Sequence, residues 1–255
     1  MLTKSKIFAR LWLLLLIVFY ALFSYNFFNG WWYAFVGTAL IVLFSALYYK
    51  KNFVQIIGLN LTVRTVVQSL ILAIVVVAGA WIVMKYVAAK RGIAIEYSDW
   101  GCYFHTVFYT LNEEIVLGGI LLYALTRKWK MKPMMASVLL AVFFSLVHYV
   151  FYRWIFIDRG IIEVSTLVTL FFIGIVRNNI ILYTGHIGYS WALHFGWMAV
   201  MFGSWHRYAA TEKYLGELIR FNIYLGSVEM LILSSLMLLL SCYFWSRKNF
   251  EIKLL

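Results

Sequence analysis

Four ionisable side chains stand inside long apolar stretches of this 255-residue chain. Glu113 and Glu114 are adjacent in one stretch, His148 lies in the next, and His194 lies two stretches further on. An ionisable group in the middle of a membrane helix costs about 2.5–3.5 kcal/mol on insertion scales, and such groups usually mark a functional site. The sequence therefore predicts a polar site inside the membrane that these residues share.

These residue types could hydrolyse a peptide bond. Neighbouring residues on a helix point about 100° apart, so one glutamate can do chemistry while the other makes a structural bond. A carboxylate beside an imidazole can take a proton from water, and a second imidazole can donate to the oxyanion that forms at a carbonyl group. The same glutamate and histidines could instead ligate a divalent metal or couple to proton transfer.

The elements that must position these residues are apolar helices. The chain is 64% hydrophobic and only 13% charged, with a mean hydropathy of +0.87. A helix needs about 20 apolar residues to cross a bilayer. We therefore predict an all-α polytopic membrane bundle of about eight transmembrane helices, and the predicted spans are roughly 7–28, 32–49, 66–88, 100–126, 134–157, 162–183, 188–203 and 221–245.

A proline and a candidate turn support these helix boundaries. The only proline, Pro133, stands where the fifth helix should start, a position that tolerates proline. The sixth and seventh helices could join as a tight hairpin through Thr184, Gly185 and His186. No linker rich in proline, glycine or serine divides the chain, so residues 1–255 are interpreted as a single integral membrane domain.

The formal net charge of +12 comes from short basic clusters that flank the apolar stretches. This pattern is typical of membrane orientation and argues against nucleic acid as a partner. The clusters predict that both termini are cytoplasmic, since the basic residues are then more numerous on the cytoplasmic side. We expect a bacterial plasma membrane because the chain is compact.

The order and spacing of three motifs resemble the CPBP intramembrane proteases over about residues 100–203. That family includes the CAAX prenyl endopeptidases and bacterial relatives linked to bacteriocin processing and self-immunity. The motifs are Glu113-Glu114 followed by Gly119, then Phe144-x-x-x-His148, and then Thr184-Gly185 followed by Ser190-Trp191-Ala192-Leu193-His194-Phe195-Gly196-Trp197.

The resemblance implies an eight-helix bundle with a glutamate-dependent hydrolase site that is open toward the cytoplasm and uses no metal or other cofactor. Glu113 would be the general base for water, and His148 would help to hold that water. His194 would belong to the oxyanion site, and Glu114 would be structural, with Phe144 nearby. The substrate or partner would be a membrane-associated peptide or protein.

The first departure from the family pattern is at Gly118. The first motif of the family is Glu-Glu-x-x-x-Arg, and its arginine can pair with the second glutamate. Gly118 occupies that position here, so Glu114 lacks the expected partner. Arg177, in the sixth predicted helix, could replace the missing arginine from another helix.

The second departure is at Met198, where the family has an asparagine that donates a hydrogen bond. Removal of one oxyanion donor typically costs about 10²–10³ in turnover. Asn178 and Asn179 are candidate replacements. Besides a divergent protease, the sequence leaves open a degenerate CPBP-type protein that binds a membrane partner without cutting it, a metal-dependent protease and a proton-coupled transporter.

Overall fold

The computed structural model describes residues 11, 12, 14, 15, 18, 32–91, 95, 97–151, 164–209, 225, 226 and 228–247. These residues form helices joined by short turns and include no strand, which confirms the all-α prediction. In chain order the helices are α1 (Tyr33–Tyr49), α2 (Phe53–Ile56), α3 (Val63–Arg91), α4 (Trp100–Glu113), α5 (Pro133–Phe151), α6 (Val164–Thr184), α7 (Gly188–Ala209) and α8 (Val228–Arg247).

Helix α4 continues directly into wider helical turns. Asp99 caps its start, because its side chain accepts a main-chain N–H of the first turn at 3.1 Å. Beyond α4 the chain forms two π-helical segments, Glu114–Leu121 and Ala124–Lys128. The change from i→i+4 to i→i+5 bonding falls between Glu113 and Glu114. Such π-helical turns are rare and are frequent at functional sites.

The described helices pack around α4 and its π-helical continuation. These central segments contact α1, α5, α6 and α7, while α3 packs on α7 and α8 packs on α6. Helices α3 and α8 lie at the periphery and expose large apolar side chains, such as Ile74 at 68% and Leu239 at 66%. The fold therefore places the two adjacent glutamates in its interior and directs apolar surface outward.

The length and apolar character of these helices identify an integral membrane protein. Among the described residues, five helices are long and apolar enough to cross a membrane, which is fewer than the eight predicted. The first predicted span, 7–28, lies mostly outside the described residues. Helix α5 contributes a shorter apolar stretch. The five spans are Tyr33–Ile56, Val63–Lys90, Trp100–Lys128, Val164–Thr184 and Val228–Trp245.

The predicted helix boundaries agree best with the structure where a proline or a turn-forming glycine stands. Pro133 is the first residue of α5, as predicted. Helices α6 and α7 form the predicted hairpin, and Gly185 turns the chain between them with a φ of 79°. This left-handed conformation favours glycine, because a side chain there is strained. The short helix α2 was not predicted.

The segment that follows α2 lies against the centre of the bundle. A Cβ atom added at Gly119 would meet the carbonyl oxygen of Ile57 at 2.6 Å, so only glycine permits this approach. The next residue, Gly58, accepts a hydrogen bond from the main-chain N–H of Ile187 at 3.0 Å. The segment is thus tied both to the π-helical turn and to the hairpin that leads into α7.

Candidate active site

Glu113 is completely buried and faces α5. Its Oε1 lies 4.0 Å from Nε2 of His148, which is too long for a hydrogen bond. Neither of its carboxylate oxygens accepts a hydrogen bond from any described residue. A buried carboxylate normally collects donors, so this side chain is exceptional in the bundle.

His148 is held in one orientation by the residue one turn before it. Its Nδ1 lies 2.8 Å from the carbonyl oxygen of Phe144, which can only accept, so Nδ1 carries the proton. The Phe144 ring also packs against the imidazole, with 4.3 Å between centroids. Nε2 is therefore directed toward Glu113 and is an acceptor in the neutral imidazole.

Glu114 is also completely buried, but it faces α7 and is well bonded. Ser190 donates its hydroxyl to Oε2 at 2.7 Å, and Nδ1 of His194 lies 3.1 Å from Oε1. Ser190 and His194 are four residues apart, so they project from the same face of α7. The sequence analysis assigned no role to Ser190, and this spacing is the signal that could have identified it.

We expect Ser190→Ala to destabilise the protein by about 1–3 kcal/mol, because one buried oxygen of Glu114 then loses its donor. The melting temperature of the purified protein in detergent measures this loss. Ser235→Ala is the matched control, since the Ser235 hydroxyl bonds only to a main-chain carbonyl of its own helix α8. An equal effect of both substitutions would contradict the assignment of Ser190 to Glu114.

Arg177 does not form the ion pair with Glu114 that the sequence analysis considered. Within the described part of the chain, the ion-pair contacts of Glu114 are to His194 alone. The guanidinium of Arg177 instead donates to Oδ1 of Asn178, at 3.2 Å from Nη2, and lies 4.5 Å from the centre of the Phe144 ring. The pair is not needed, because both oxygens of Glu114 already have partners from α7.

Gly118 faces α6, and a side chain from that helix fills its place. A Cβ atom added at Gly118 would meet Cδ1 of Ile181 at 2.4 Å. The added Cβ atom would also lie 3.4 Å from Oε2 of Glu114. Gly118 thus occupies the position beside Glu114 where the CPBP pattern has arginine, and a larger side chain there would require Ile181 to shift.

The side-chain amides of Asn178 and Asn179 bond to neighbouring helices. The Asn178 amide donates to the main-chain carbonyl of Ser137 at 2.9 Å, and the Asn179 amide donates to the Ser241 hydroxyl at 3.2 Å. These hydrogen bonds join α6 to α5 and α8. The role of either asparagine as a replacement for the donor missing at Met198 stays a prediction.

Met198, on α7, makes an apolar contact with α1 and α4. Its side chain contacts the buried cluster of Tyr33, Ala34 and Tyr109, which joins α1 to α4. This apolar contact replaces the hydrogen bond that an asparagine could make. The two departures from the family pattern are thus both accommodated by packing.

Two further described histidines are engaged elsewhere. Nε2 of His105 lies 2.6 Å from the Tyr33 hydroxyl. His186, in the turn before α7, accepts the main-chain N–H of Gly188 on Nδ1 at 3.2 Å, and burial lowers its pKa. His186 therefore acts as a neutral cap of the turn and does not pair with Glu113 or Glu114.

The site consists of two separate glutamate–histidine pairs. Glu113 faces His148 on α5, and Glu114 bonds to His194 on α7. Among the residues whose placement is described, no group of three or more His, Cys, Asp or Glu side chains is arranged to hold a metal ion.

The comparisons with known proteins agree with the motifs. Residues 96–200, which include both pairs, match the family described as type II CAAX prenyl endopeptidase Rce1-like, within the CPBP family. This match confirms the resemblance found in the sequence. No curated protein and no solved structure shows a significant match to the chain.

Proposed function

We propose that this chain, whose residues 96–200 match the Rce1-like family, is an intramembrane endopeptidase in which Glu113 activates water. One observation carries the proposal. Glu113 is buried with both oxygens unbonded among the described residues, and it lies 4.0 Å from the Nε2 acceptor of an oriented imidazole. Two acceptors at this spacing suit a water molecule that donates one hydrogen to each.

In the proposed reaction, the water oxygen attacks the carbonyl carbon of the scissile peptide bond while Glu113 takes one of its protons. His148 accepts the other hydrogen and so orients the water, because its Nδ1–H is committed to Phe144. The tetrahedral intermediate collapses when the carbon–nitrogen bond breaks. Glu113 then gives its proton to the leaving amine, which restores the carboxylate.

The negative charge on the tetrahedral intermediate needs a donor, and His194 is the candidate. With Nδ1 directed at Glu114, the imidazolium form of His194 can donate from Nε2 to the oxyanion. The Glu114 carboxylate balances that positive charge in the low dielectric of the bundle. Glu114 thus acts through His194, and Ser190 keeps Glu114 in place.

The proposed substrate is a membrane-associated polypeptide. The family description makes a prenylated tail of the CAAX type the first substrate to test. We also propose that the whole chain is one membrane domain with both termini in the cytoplasm, as the distribution of basic clusters favours. The compactness of the chain favours a bacterial plasma membrane.

The proposal is tested by cleavage of an internally quenched farnesylated CAAX peptide by the purified full-length protein in liposomes. We expect His148→Ala to lower kcat by about 10²-fold or more, since the water loses its second acceptor. The matched control is His105→Ala, because His105 bonds to Tyr33 and should leave the rate within about twofold.

Each result separates the candidate functions. A metal chelator should leave the rate unchanged, and a complete loss with recovery on added zinc would favour a metal-dependent protease instead. If neither the wild type nor any variant cleaves the peptide, while binding of the peptide is retained, the chain is a binding protein on a protease-like fold. Met198, which supplies no polar donor, is the feature that favours this second function.

A further inference from the structure

Two opposite charges near the candidate site are incompletely bonded in the bundle interior. Both oxygens of Glu113 lack a hydrogen-bond donor among the described residues, and Nη1 of Arg177 lacks an acceptor there. Glu113 is 0% exposed and Arg177 is 5% exposed. A buried ion without compensation costs several kcal/mol, so each of these two groups needs an opposite charge.

The surroundings of Arg177 fix its position beside the site. Asn178 accepts from both Nε and Nη2, and the guanidinium lies over the Phe144 ring. Phe144 also contacts His148, because its ring packs on the imidazole and its main-chain carbonyl accepts from Nδ1. Arg177 therefore reaches the imidazole that faces Glu113 through one aromatic side chain.

The electrostatic interactions connect the same groups. Glu113 lies 4.0 Å from the His148 imidazole, and Arg177 reaches the same imidazole through the Phe144 ring. The charged groups that face this region are the two glutamates from α4 and its continuation, His148 from α5, Arg177 from α6 and His194 from α7. Glu114 is already balanced by His194 and Ser190, which leaves Glu113 as the buried carboxylate, among the described residues, that Arg177 can compensate.

Packing explains why this positive charge comes from α6. Ile181 lies one turn after Arg177 and fills the space beside Gly118, so a long side chain in the continuation of α4 would have to displace Ile181. The close approach of α6 at Gly118 brings Arg177 against Phe144 on the preceding turn. The glycine at position 118 allows α6 to pack closely, and α6 carries the cation Arg177.

We propose that Arg177 is a positioning residue of the site, whose buried cation compensates the Glu113 carboxylate and holds His148 through the Phe144 ring. The charge compensation is a property of the folded protein and can be measured without a substrate. The consequence for turnover rests on the proposed function.

A double-mutant cycle on the full-length protein in detergent tests the compensation. Arg177→Met should lower the melting temperature on the order of 10 °C, as expected when a buried charge loses its partner. Glu113→Gln in the same chain should recover at least half of that loss. Arg64→Met, at an exposed position at the start of α3, is the control and should leave the melting temperature unchanged within about 1 °C.

Additive losses in the double variant would overturn the proposal. If Arg177→Met does not yield folded protein, the yield of folded protein replaces the melting temperature as the readout. Recovery of folded protein by the added Glu113→Gln then supports the proposal, and no recovery contradicts it.

The cleavage assay gives a second and separate readout. We expect Arg177→Met to lower kcat by about 10²-fold with KM within about twofold, and Arg177→Lys to restore at least a tenth of the wild-type kcat. Equal losses in the lysine and methionine variants would overturn the role of the charge in turnover. Inactivity of the wild type would contradict the proposed function and leave the melting cycle as the test of Arg177.

Discussion

Replacement of Glu113 by glutamine is expected to lower kcat by about 10³-fold, within the range of 10²–10⁴ that a general base contributes. Glutamine has the same shape as glutamate, so packing in the bundle changes little. Its amide cannot take a proton from water at neutral pH. KM should stay within about twofold, because substrate is bound by other groups. Steady-state cleavage of the farnesylated peptide in liposomes measures both constants.

The control for this substitution is Glu229→Gln, at an exposed position in the first turn of α8. It should leave kcat unchanged within about twofold. Glu114→Gln gives a contrasting pattern, since an amide nitrogen replaces one carboxylate oxygen and the Ser190 hydroxyl or the His194 imidazole must then accept instead of donate. Full activity of the Glu113 variant at matched expression would remove Glu113 from the reaction and leave a binding function.

A single methyl group added at Gly119 is expected to lower the free energy of unfolding by about 3 kcal/mol, at the upper end of the cost of overpacking. The added Cβ would meet the carbonyl oxygen of Ile57 at 2.6 Å and its carbonyl carbon at 2.7 Å. Both are main-chain atoms, so they cannot rotate away as a side chain could. The melting temperature of Gly119→Ala in detergent measures the effect.

Gly79→Ala is the matched control for Gly119→Ala. Gly79 also lies within a helix, α3, but nothing lies within 4 Å of an added Cβ. Alanine is a better helix former than glycine by about 1 kcal/mol, so this variant should be neutral or slightly more stable. A Gly119→Ala variant as stable as Gly79→Ala would contradict the prediction and show that the segment after α2 can move away from the bundle.

The apolar helices and the residues of the candidate site could be predicted because they contradict their surroundings. Four ionisable residues stand out in an apolar sequence, namely Glu113, Glu114, His148 and His194. The length of a hydrophobic run shows directly whether the helix can cross a bilayer. The hairpin before α7 was equally predictable, because Gly185 supplies the conformation that the turn requires.

The partners of the two glutamates could not be predicted from sequence in the same way. A helix of uniform pitch gives only the angle between neighbouring side chains, whereas here the bonding pattern changes between Glu113 and Glu114. The pairing depends on which helices pack on either side. Arg177 illustrates the limit, since its partners Asn178 and Phe144 follow from the crossing of α5 and α6.

Short elements without hydrophobic periodicity were also beyond prediction. Helix α2 has only four residues, so no repeating pattern can identify it. The contact of Ile57 with Gly119 joins residues that are distant in sequence, and Gly119 alone gives no sign of its neighbour.

The hydrogen-bond partners of Glu114 are synthesised well after Glu114 itself. Its partners Ser190 and His194 follow it by 76 and 80 residues, so at 5–20 residues per second they leave the ribosome roughly 4–16 s later. During that interval Glu114 has neither of the hydrogen-bond partners from α7 that it has in the folded protein. The pairing of Glu114 can therefore be completed only after α7 has been synthesised.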